Sequence, residues 1–254
     1  TAGKQAWLAF KAPNGVPNHN DLDGGSFVFE TGGRRWAMDM GSDSYQLPGY
    51  FTQDVRNNTR YNLYRKATVG HNTLVLNADV SRACMQVANG CADAAVGACA
   101  REHTAAGVGN ISLFESRNDS ARSPAYAVVD MSAAHAAQGA TRVERGFAFT
   151  QGHERLVVVD ELDFAAASGA QNVSWSMHTL AHIELVRGQN GAARAAVLRQ
   201  GEDTLHATVL EPDALTPLHL SIQLAPTPMP SAGVPHPRPV RAAAPATGGP
   251  LLRL

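Results

Sequence analysis

Residues 18–77 hold a concentration of side chains that could bind a metal or move protons: His19, Asp21, Asp23, Asp39, Asp43 and His71. They lie at the mouths of three strand-like runs, Ser26–Glu30, Arg35–Met40 and Thr73–Leu76. Loops that enter and leave strands present polar groups on a rigid scaffold, so this pattern predicts a functional site. Because Asp, Asn, Gly and His are also common turn residues, an ordinary loop-rich β domain is the alternative.

Two of these carboxylates are expected to meet. The Thr31-Gly32-Gly33 turn predicts that the first two runs form an antiparallel hairpin. Asp21 precedes the first run and Asp39 lies near the end of the second, which places both at the same end of the hairpin. With His71 they form a set of two oxygen ligands and one nitrogen ligand, which suits a divalent metal with an open position for water. The alternative is that Asp21 and Asp39 cap turns and His71 is a loop histidine with its hydrogen bonds satisfied.

His19 lies two residues before Asp21, so in an extended segment both side chains point the same way. An imidazole that titrates near neutral pH can serve beside a metal as a charge neutraliser or proton carrier. A solvent-facing turn histidine is the alternative.

His178 shares one face of a predicted strand with Ser174 and Ser176, and that face either meets substrate or faces solvent. No Gly-x-Ser-x-Gly motif supports a serine hydrolase. Gly24-Gly25 is followed by a strand instead of a helix, so a phosphate-binding loop is also excluded.

The bulk composition narrows the choice of partners. The 21 basic and 22 acidic residues give a formal net charge of −1, which offers no overall attraction to nucleic acid or an anionic membrane. The sequence has no apolar run long enough to span a membrane and no basic-then-apolar leader at its start.

The cysteine pattern bears on the compartment. Cys84, Cys91 and Cys99 are seven and eight residues apart, which does not match the short pairs of a zinc site but is compatible with one disulfide. Asn-x-Ser/Thr triplets begin at Asn57, Asn110, Asn118 and Asn172. These features favour a secreted or periplasmic protein.

Alternating segments with turns every eight to twelve residues predict an all-β fold, an antiparallel β-sandwich. After a first strand at 5–11, the clearest segments are ISLFES, YAVVDMS, TRVERGFAFTQ, ERLVVVDELD, NVSWSMHTL, HIELVRG, RAAVLRQ, TLHATVLE and LHLSIQL. Residues 41–70 are mostly irregular, and a connection of that length tends to be functional. We assign residues 1–225 to the sandwich, and we predict that the Pro/Ala/Gly-rich residues 226–254 form a disordered tail.

Two blocks carry a resemblance, HNDLDGGSFVFETGGRRWAMDMGSDSYQLPGYF and YRKATVGHNTLVLN. They resemble the C-terminal β domain of the heparinase II/III-like polysaccharide lyases, and TRVERGFAF, ERLVVVDELDF and SWSMHT are similar to that domain's later strands. The likeness covers residues 5–180. In this family an N-terminal α/α toroid packs on an antiparallel sandwich of the super-sandwich type. These enzymes cleave uronic-acid-containing polysaccharides in the cleft between the two parts.

The resemblance implies roles for individual residues. His19 matches the family's active-site histidine, and Asp39 and His71 match two ligands of its metal. Asp21 stands where the family has a second histidine ligand. Zinc is therefore expected, with manganese or calcium as alternatives because a carboxylate has replaced an imidazole.

The family's tyrosine base belongs to the toroid, and nothing in this sequence corresponds to it. We therefore expect a toroid domain or chain as a partner and an acidic polysaccharide as substrate. Assembly into a homo-oligomer is compatible with the sequence. Among the local side chains, Tyr45 and Arg65 are our candidates for contact with the sugar.

Three functions follow from these observations. The first is a polysaccharide lyase module that works by metal-assisted β-elimination, with its general base supplied by the toroid. The second is a non-catalytic sandwich that binds glycans or assembles with other proteins. The third is a hydrolase in which the same metal activates water.

Overall fold

The computed structural model describes residues 5–15, 19–47, 50–51, 63–76, 107–116, 125–150, 154–166, 173–188, 193–210, 221–224 and 250–253. Its strands are β1 (Ala6–Phe10), β2 (Phe27–Thr31), β3 (Arg34–Ala37), β4 (Leu74–Leu76), β5 (Asn110–Glu115), β6 (Ala125–Asp130), β7 (Ala140–Thr150), β8 (Arg155–Phe164), β9 (Val173–His178), β10 (His182–Arg187), β11 (Ala193–Gln200), β12 (Asp203–Thr208), β13 (Ser221–Leu224) and β14 (Pro250–Arg253). A short helix, α1 (Ser132–His135), and 3-10 turns at Thr68–Gly70 and Ala136–Gln138 accompany them.

The described strands form four antiparallel sheets, ordered β1-β2-β3, β5-β6-β7-β8, β13-β14-β9-β4 and β10-β11-β12. All four contribute to one apolar core, which includes Trp36 of β3, Phe147 of β7, Met177 of β9 and Leu198 of β11. The prediction of an all-β antiparallel sandwich is confirmed. In the described part of the chain, no helix has the length and apolar character of a membrane span.

The predicted hairpin is present, with different ends. β2 and β3 pair through Glu30↔Arg35 and Thr31↔Arg34. Gly32 and Gly33 both have positive φ, a conformation that hairpin turns require and glycine adopts without strain. The second strand ends at Ala37 and not at Met40, because the Met38 N–H donates to the carbonyl of His178 and leads the chain towards β9.

The last residues of the predicted disordered tail form a strand in the structure. Pro250–Arg253 form β14, which pairs with β9 on one side and β13 on the other. An edge of β9 would otherwise expose unpaired backbone groups, and β14 satisfies them. Residues 226–249 lie outside the described part, as do Cys84, Cys91, Cys99 and the triplets at Asn57, Asn118 and Asn172.

A buried arginine joins the sheet β5–β8 to the turns around the predicted site. The Arg145 side chain has no exposure. Its Nε and Nη2 donate to Oδ1 and Oδ2 of Asp160 on β8 at 2.7 and 2.9 Å. Its Nη1 donates to the carbonyls of Gly25 and Asn72, both at 2.8 Å. Arg145 thereby fixes the turn before β2 and the turn before β4 on the face of β7.

His135 at the end of α1 is fully buried. Burial lowers the pKa of its imidazole to about 4, with a further contribution from the charge of Arg145. The side chain is therefore neutral in the folded protein at pH 7.

Replacing Arg145 by Met is expected to reduce the free energy of unfolding by about 3–5 kcal/mol, because Asp160 loses its buried partner. The matched control is Arg142→Met on the same strand. Arg142 binds Glu144, Glu161 and Asp163 but is half-exposed, so its loss should leave stability unchanged. Denaturant unfolding of both variants checks this. Equal losses would show that Arg145 has no special role.

Stability should depend on pH through His135. Above pH 6.5 the imidazole is neutral in both states, and as the pH falls towards 4 only the unfolded chain binds the proton. Between pH 7.5 and 4.5 the wild type should lose about 2–3 kcal/mol more of its unfolding free energy than His135→Asn does. His206→Asn, which removes an exposed histidine of β12, should behave like the wild type. A parallel pH dependence in the wild type and His135→Asn would contradict the assignment.

Candidate functional site

Asn72 is the residue around which the site is built. Its Nδ2 donates to the carbonyls of Phe27 and Met38 at 2.7 and 3.0 Å, and its Oδ1 accepts from the backbone N–H of His178 at 2.6 Å. One amide thus joins β2, the segment after β3 and the end of β9. Since the Asn72 carbonyl itself accepts from Arg145, the site is anchored to β7 as well.

His178 is buried, which excludes the solvent-facing alternative left open by the sequence. Its Nδ1 lies 3.1 Å from Asn72 Oδ1, and its Nε2 lies 2.9 Å from the hydroxyl of Tyr64. Because Asn72 Oδ1 is an acceptor, the His178 proton resides on Nδ1. In the neutral ring Nε2 then accepts from the Tyr64 hydroxyl. The pair holds the Tyr64 phenol in a fixed position.

Asp39 and His71, two of the predicted metal ligands, are in direct contact. Asp39 Oδ2 lies 2.9 Å from Nδ1 of the buried His71, and Asp39 Oδ1 accepts from the Gly41 N–H at 2.7 Å. Burial opposes the charge of both groups, but their mutual hydrogen bond and attraction outweigh it. The pKa of Asp39 falls to about 2, and the pKa of His71 rises above its ordinary value.

Asp21, the third predicted ligand, has a different partner. Its Oδ1 lies 2.5 Å from Nζ of Lys66, whose side chain is only 3% exposed. Burial alone would lower the pKa of Lys66, but its interactions with Asp21 and, to a smaller extent, Tyr50 outweigh burial and raise that pKa. The Leu22 N–H also donates to the Lys66 carbonyl at 2.9 Å. The segment around Asp21 is therefore docked on Lys66 by both main chain and side chain.

The predicted metal set is only partly assembled. His71 Nε2 is buried and has no hydrogen-bond partner among the described residues, which suits a metal ligand. Asp21, however, is bonded to an ammonium group. Within the described residues, no three His, Cys, Asp or Glu side chains are grouped to hold a metal ion. Asp21, Asp39 and His71 do not fit a three-ligand site in this arrangement, and we derive no chemical step from a metal.

His19 lies in a cluster of aromatic rings. Its own ring is exposed, and its backbone has a positive φ of 67°, which is unusual for a residue other than glycine. Its centroid lies 5.0 Å from that of Tyr45 and 5.3 Å from that of Phe51. Both neighbours are about half-exposed, and Tyr50 packs beneath them. The structure thus brings together His19 and Tyr45, two of the predicted site residues.

Arg65, predicted to contact an acidic sugar, forms hydrogen bonds with the segment after β3. Its Nη1 donates to the carbonyls of Met40 and Ser42 at 2.7 and 3.4 Å, and its Nε lies 3.9 Å from Asp43 Oδ1. Burial raises the pKa of the Asp43 carboxyl, and Arg65 counteracts part of that rise. The side chain is 17% exposed, so its role towards substrate stays a prediction.

Sequence reasoning missed Lys66, Asn72 and Arg145, and it did not single out Tyr64. Asn72 had one available signal, since it follows His71 directly and precedes a buried strand where an amide needs partners. The Lys66–Asp21 bond spans 45 positions, and the bonds from Arg145 to the carbonyls of Gly25 and Asn72 span 120 and 73, so no local pattern marks them. The Arg145–Asp160 pair lies directly across the paired strands β7 and β8.

Solved structures share this fold. A heparan sulfate lyase, HepC from Pedobacter heparinus, aligns with a TM-score of 0.59 and 12% identity over 99% of this chain and 32% of its own. The heparinase III-BT4657 gene product aligns with a TM-score of 0.56 and 14% sequence identity over 88% of this chain and 29% of its own. A heparinase III aligns with a TM-score of 0.52 and 14% sequence identity over 92% of this chain and 27% of its own.

The chain thus spans about a third of the length of the lyases whose fold it shares. No curated protein sequence matches it. Residues 4–224 match the family described as Heparinase II/III-like, C-terminal, which is most of the chain. This match includes His19, Asp39, the turn before β4 that holds His71 and Asn72, and the strands that carry Arg145 and His178. The chain therefore belongs to the heparinase II/III-like, C-terminal family.

Proposed function

We propose that this chain is the β-sandwich module of a polysaccharide lyase that cleaves a uronic-acid-containing polysaccharide by β-elimination. Family membership supports the lyase class. The observation in this chain that carries the proposal is the cluster of His19 with Tyr45 and Phe51, an exposed imidazole in contact with two half-exposed rings that also contact each other. Aromatic faces of this kind suit the apolar faces of pyranose rings, and the imidazole lies where a bound sugar would meet it.

β-Elimination needs three things at one sugar. The uronate carboxylate must be neutralised, a base must take the C5 proton, and the oxygen on C4 must leave with a proton as the C4–C5 double bond forms. Tyr45 and Phe51 would orient the ring. His19 would donate to the uronate carboxylate or carry a proton at the edge of the same cluster.

The general base remains to be supplied. The proposal assigns it to a tyrosine on an N-terminal α/α toroid, as the resemblance implies, and this fits the 32% of HepC that the chain spans. The predicted zinc, manganese or calcium ion has no part in this proposal, because Asp21 is bonded to Lys66 and Asp39 is bonded to Nδ1 of His71. Because the substrate is a polymer too large to enter a cell intact, we also propose that the protein is secreted or periplasmic.

The activity is tested by incubating the natural full-length polypeptide with heparan sulfate, chondroitin sulfate, hyaluronan and alginate. The ultraviolet absorbance of the unsaturated product reports elimination. His19→Ala should lower kcat by roughly 10²–10⁴-fold, because one positioned proton carrier is lost. His182→Ala, at an exposed histidine on β10, should retain full activity.

Absence of an unsaturated product on all four polymers would reject the lyase. If the wild type and His19→Ala then bind a polymer equally, the non-catalytic glycan-binding function gains support. Products of cleavage without a double bond would instead indicate the hydrolase.

The aromatic cluster predicts a separate effect on binding. Tyr45→Ala should raise KM by roughly 2–10-fold with a smaller change in kcat, because a stacking face is lost while the imidazole remains. Trp7→Ala on β1 is a suitable control, since Trp7 and Tyr45 are both 52% exposed. If the two variants raise KM equally, the cluster around His19 is not the sugar-binding surface.

A further inference from the structure

We infer that the ammonium group of Lys66 serves as the structural cation of this site, in the place that the resemblance gives to a divalent metal. Asp21 is the predicted ligand that this proposal reassigns: its carboxylate holds a lysine and not a metal. The inference concerns the cation alone and does not require that the lyase activity be correct.

The first supporting observation is the geometry of the Asp21–Lys66 pair. Asp21 Oδ1 and Lys66 Nζ are 2.5 Å apart, and the side chains are 20% and 3% exposed. A lysine so deeply buried is stable only when a negative charge faces it, so the carboxylate is committed to this partner. The Tyr50 ring adds a second contact, with its centroid 5.2 Å from Nζ. The ammonium is therefore enclosed on more than one side.

The second supporting observation is the set of charged groups around Asp21 and Lys66. Three carboxylates, Asp21, Asp39 and Asp43, line this region. Lys66 lies against the first at 2.5 Å, His71 against the second at 2.9 Å, and Arg65 at 3.9 Å from the third. Lys66 and Arg65 alone bring two fixed positive charges. A divalent ion on Asp21 Oδ1 would displace Lys66 and leave a buried ammonium without its counter-ion. An ion on Oδ2 would bring a second cation to a carboxylate whose charge Lys66 already balances.

The third supporting observation is what the pair does for the site. A metal bound by residues from two loops holds those loops together, and Lys66 does this here. Its side chain binds Asp21 and its carbonyl accepts from the Leu22 N–H, so residues 21–22 are fastened to the turn that leads to His71. His19 lies two residues before Asp21. Lys66 is thus a positioning residue for the exposed imidazole, and it does not itself contact substrate.

The test measures metal dependence directly, on the natural full-length polypeptide. The wild type is treated with a chelator, and its melting temperature is followed before and after addition of zinc, manganese or calcium chloride. We expect no change at either stage. Lys66→Ala should melt roughly 5–10 °C lower, because Asp21 is left without its partner, and zinc or manganese should restore much of that loss.

Two further variants sharpen the comparison. Lys66→Arg keeps a cation and should need no metal. Lys11→Ala removes the more exposed lysine that pairs with Asp23 and should show neither the loss nor the rescue. Rescue of Lys66→Ala by a divalent ion is a readout that a purely structural lysine would not give.

Two results would overturn the inference. The first is a wild type that loses stability on chelation, regains it with zinc, manganese or calcium, and loses this response in Asp21→Asn. Asp21 would then be a metal ligand. The second is a Lys66→Ala protein that no divalent ion restores. If Lys66→Ala does not fold, the chelation measurements on the wild type and on Asp21→Asn still decide between the ammonium and a metal.

Discussion

The buried guanidinium of Arg145 is the constraint on which the site depends. A planar group with fixed donor directions needs acceptors in fixed places, and the chain supplies Asp160 on one side and the carbonyls of Gly25 and Asn72 on the other. Apolar packing holds the sheets together but has no direction, so it does not determine where a turn lies on a sheet face. Arg145 makes that choice for the two turns that carry the candidate residues.

From this anchor the site is built outwards in layers. Asn72 accepts from Arg145 with its carbonyl, and its side-chain amide binds β2, the segment after β3 and His178. The pairs His178–Tyr64 and Asp39–His71 lie around it, and their ring nitrogens are oriented by the bonds they make. The Asp21–Lys66 pair fastens the next segment. Beyond these contacts lie the most exposed of the candidate residues, His19 and its neighbours Tyr45 and Phe51. Such ordering is typical of sites that must hold a precise geometry.

The sequence predicted what depends on local pattern. Alternation identified the strand at 172–180, observed as β9 (Val173–His178), and the double glycine identified the hairpin of β2 and β3. The strand ends predicted a meeting of Asp21 with Asp39, and the ligand types and the resemblance added His71. The structure gives Asp39 the partner His71 and Asp21 the partner Lys66. Long-range polar pairing could not be predicted in this way. Arg145 shares the apolar face of β7 with Val143 and Phe147, but the strand alone does not show that its Nη1 binds the carbonyls of Gly25 and Asn72. The partner of Asp21 lies 45 positions away in an irregular segment. Pairing of 250–253 with β9 likewise required the whole fold.

In our proposal, cations of the protein itself hold this site together. Anomalous diffraction from crystals of the natural full-length polypeptide, grown with zinc or manganese, tests this most directly. We expect Lys66 Nζ within hydrogen-bond distance of Asp21 and no anomalous peak on that carboxylate. A peak about 2.0–2.2 Å from an Asp21 oxygen, with Lys66 displaced, would contradict it.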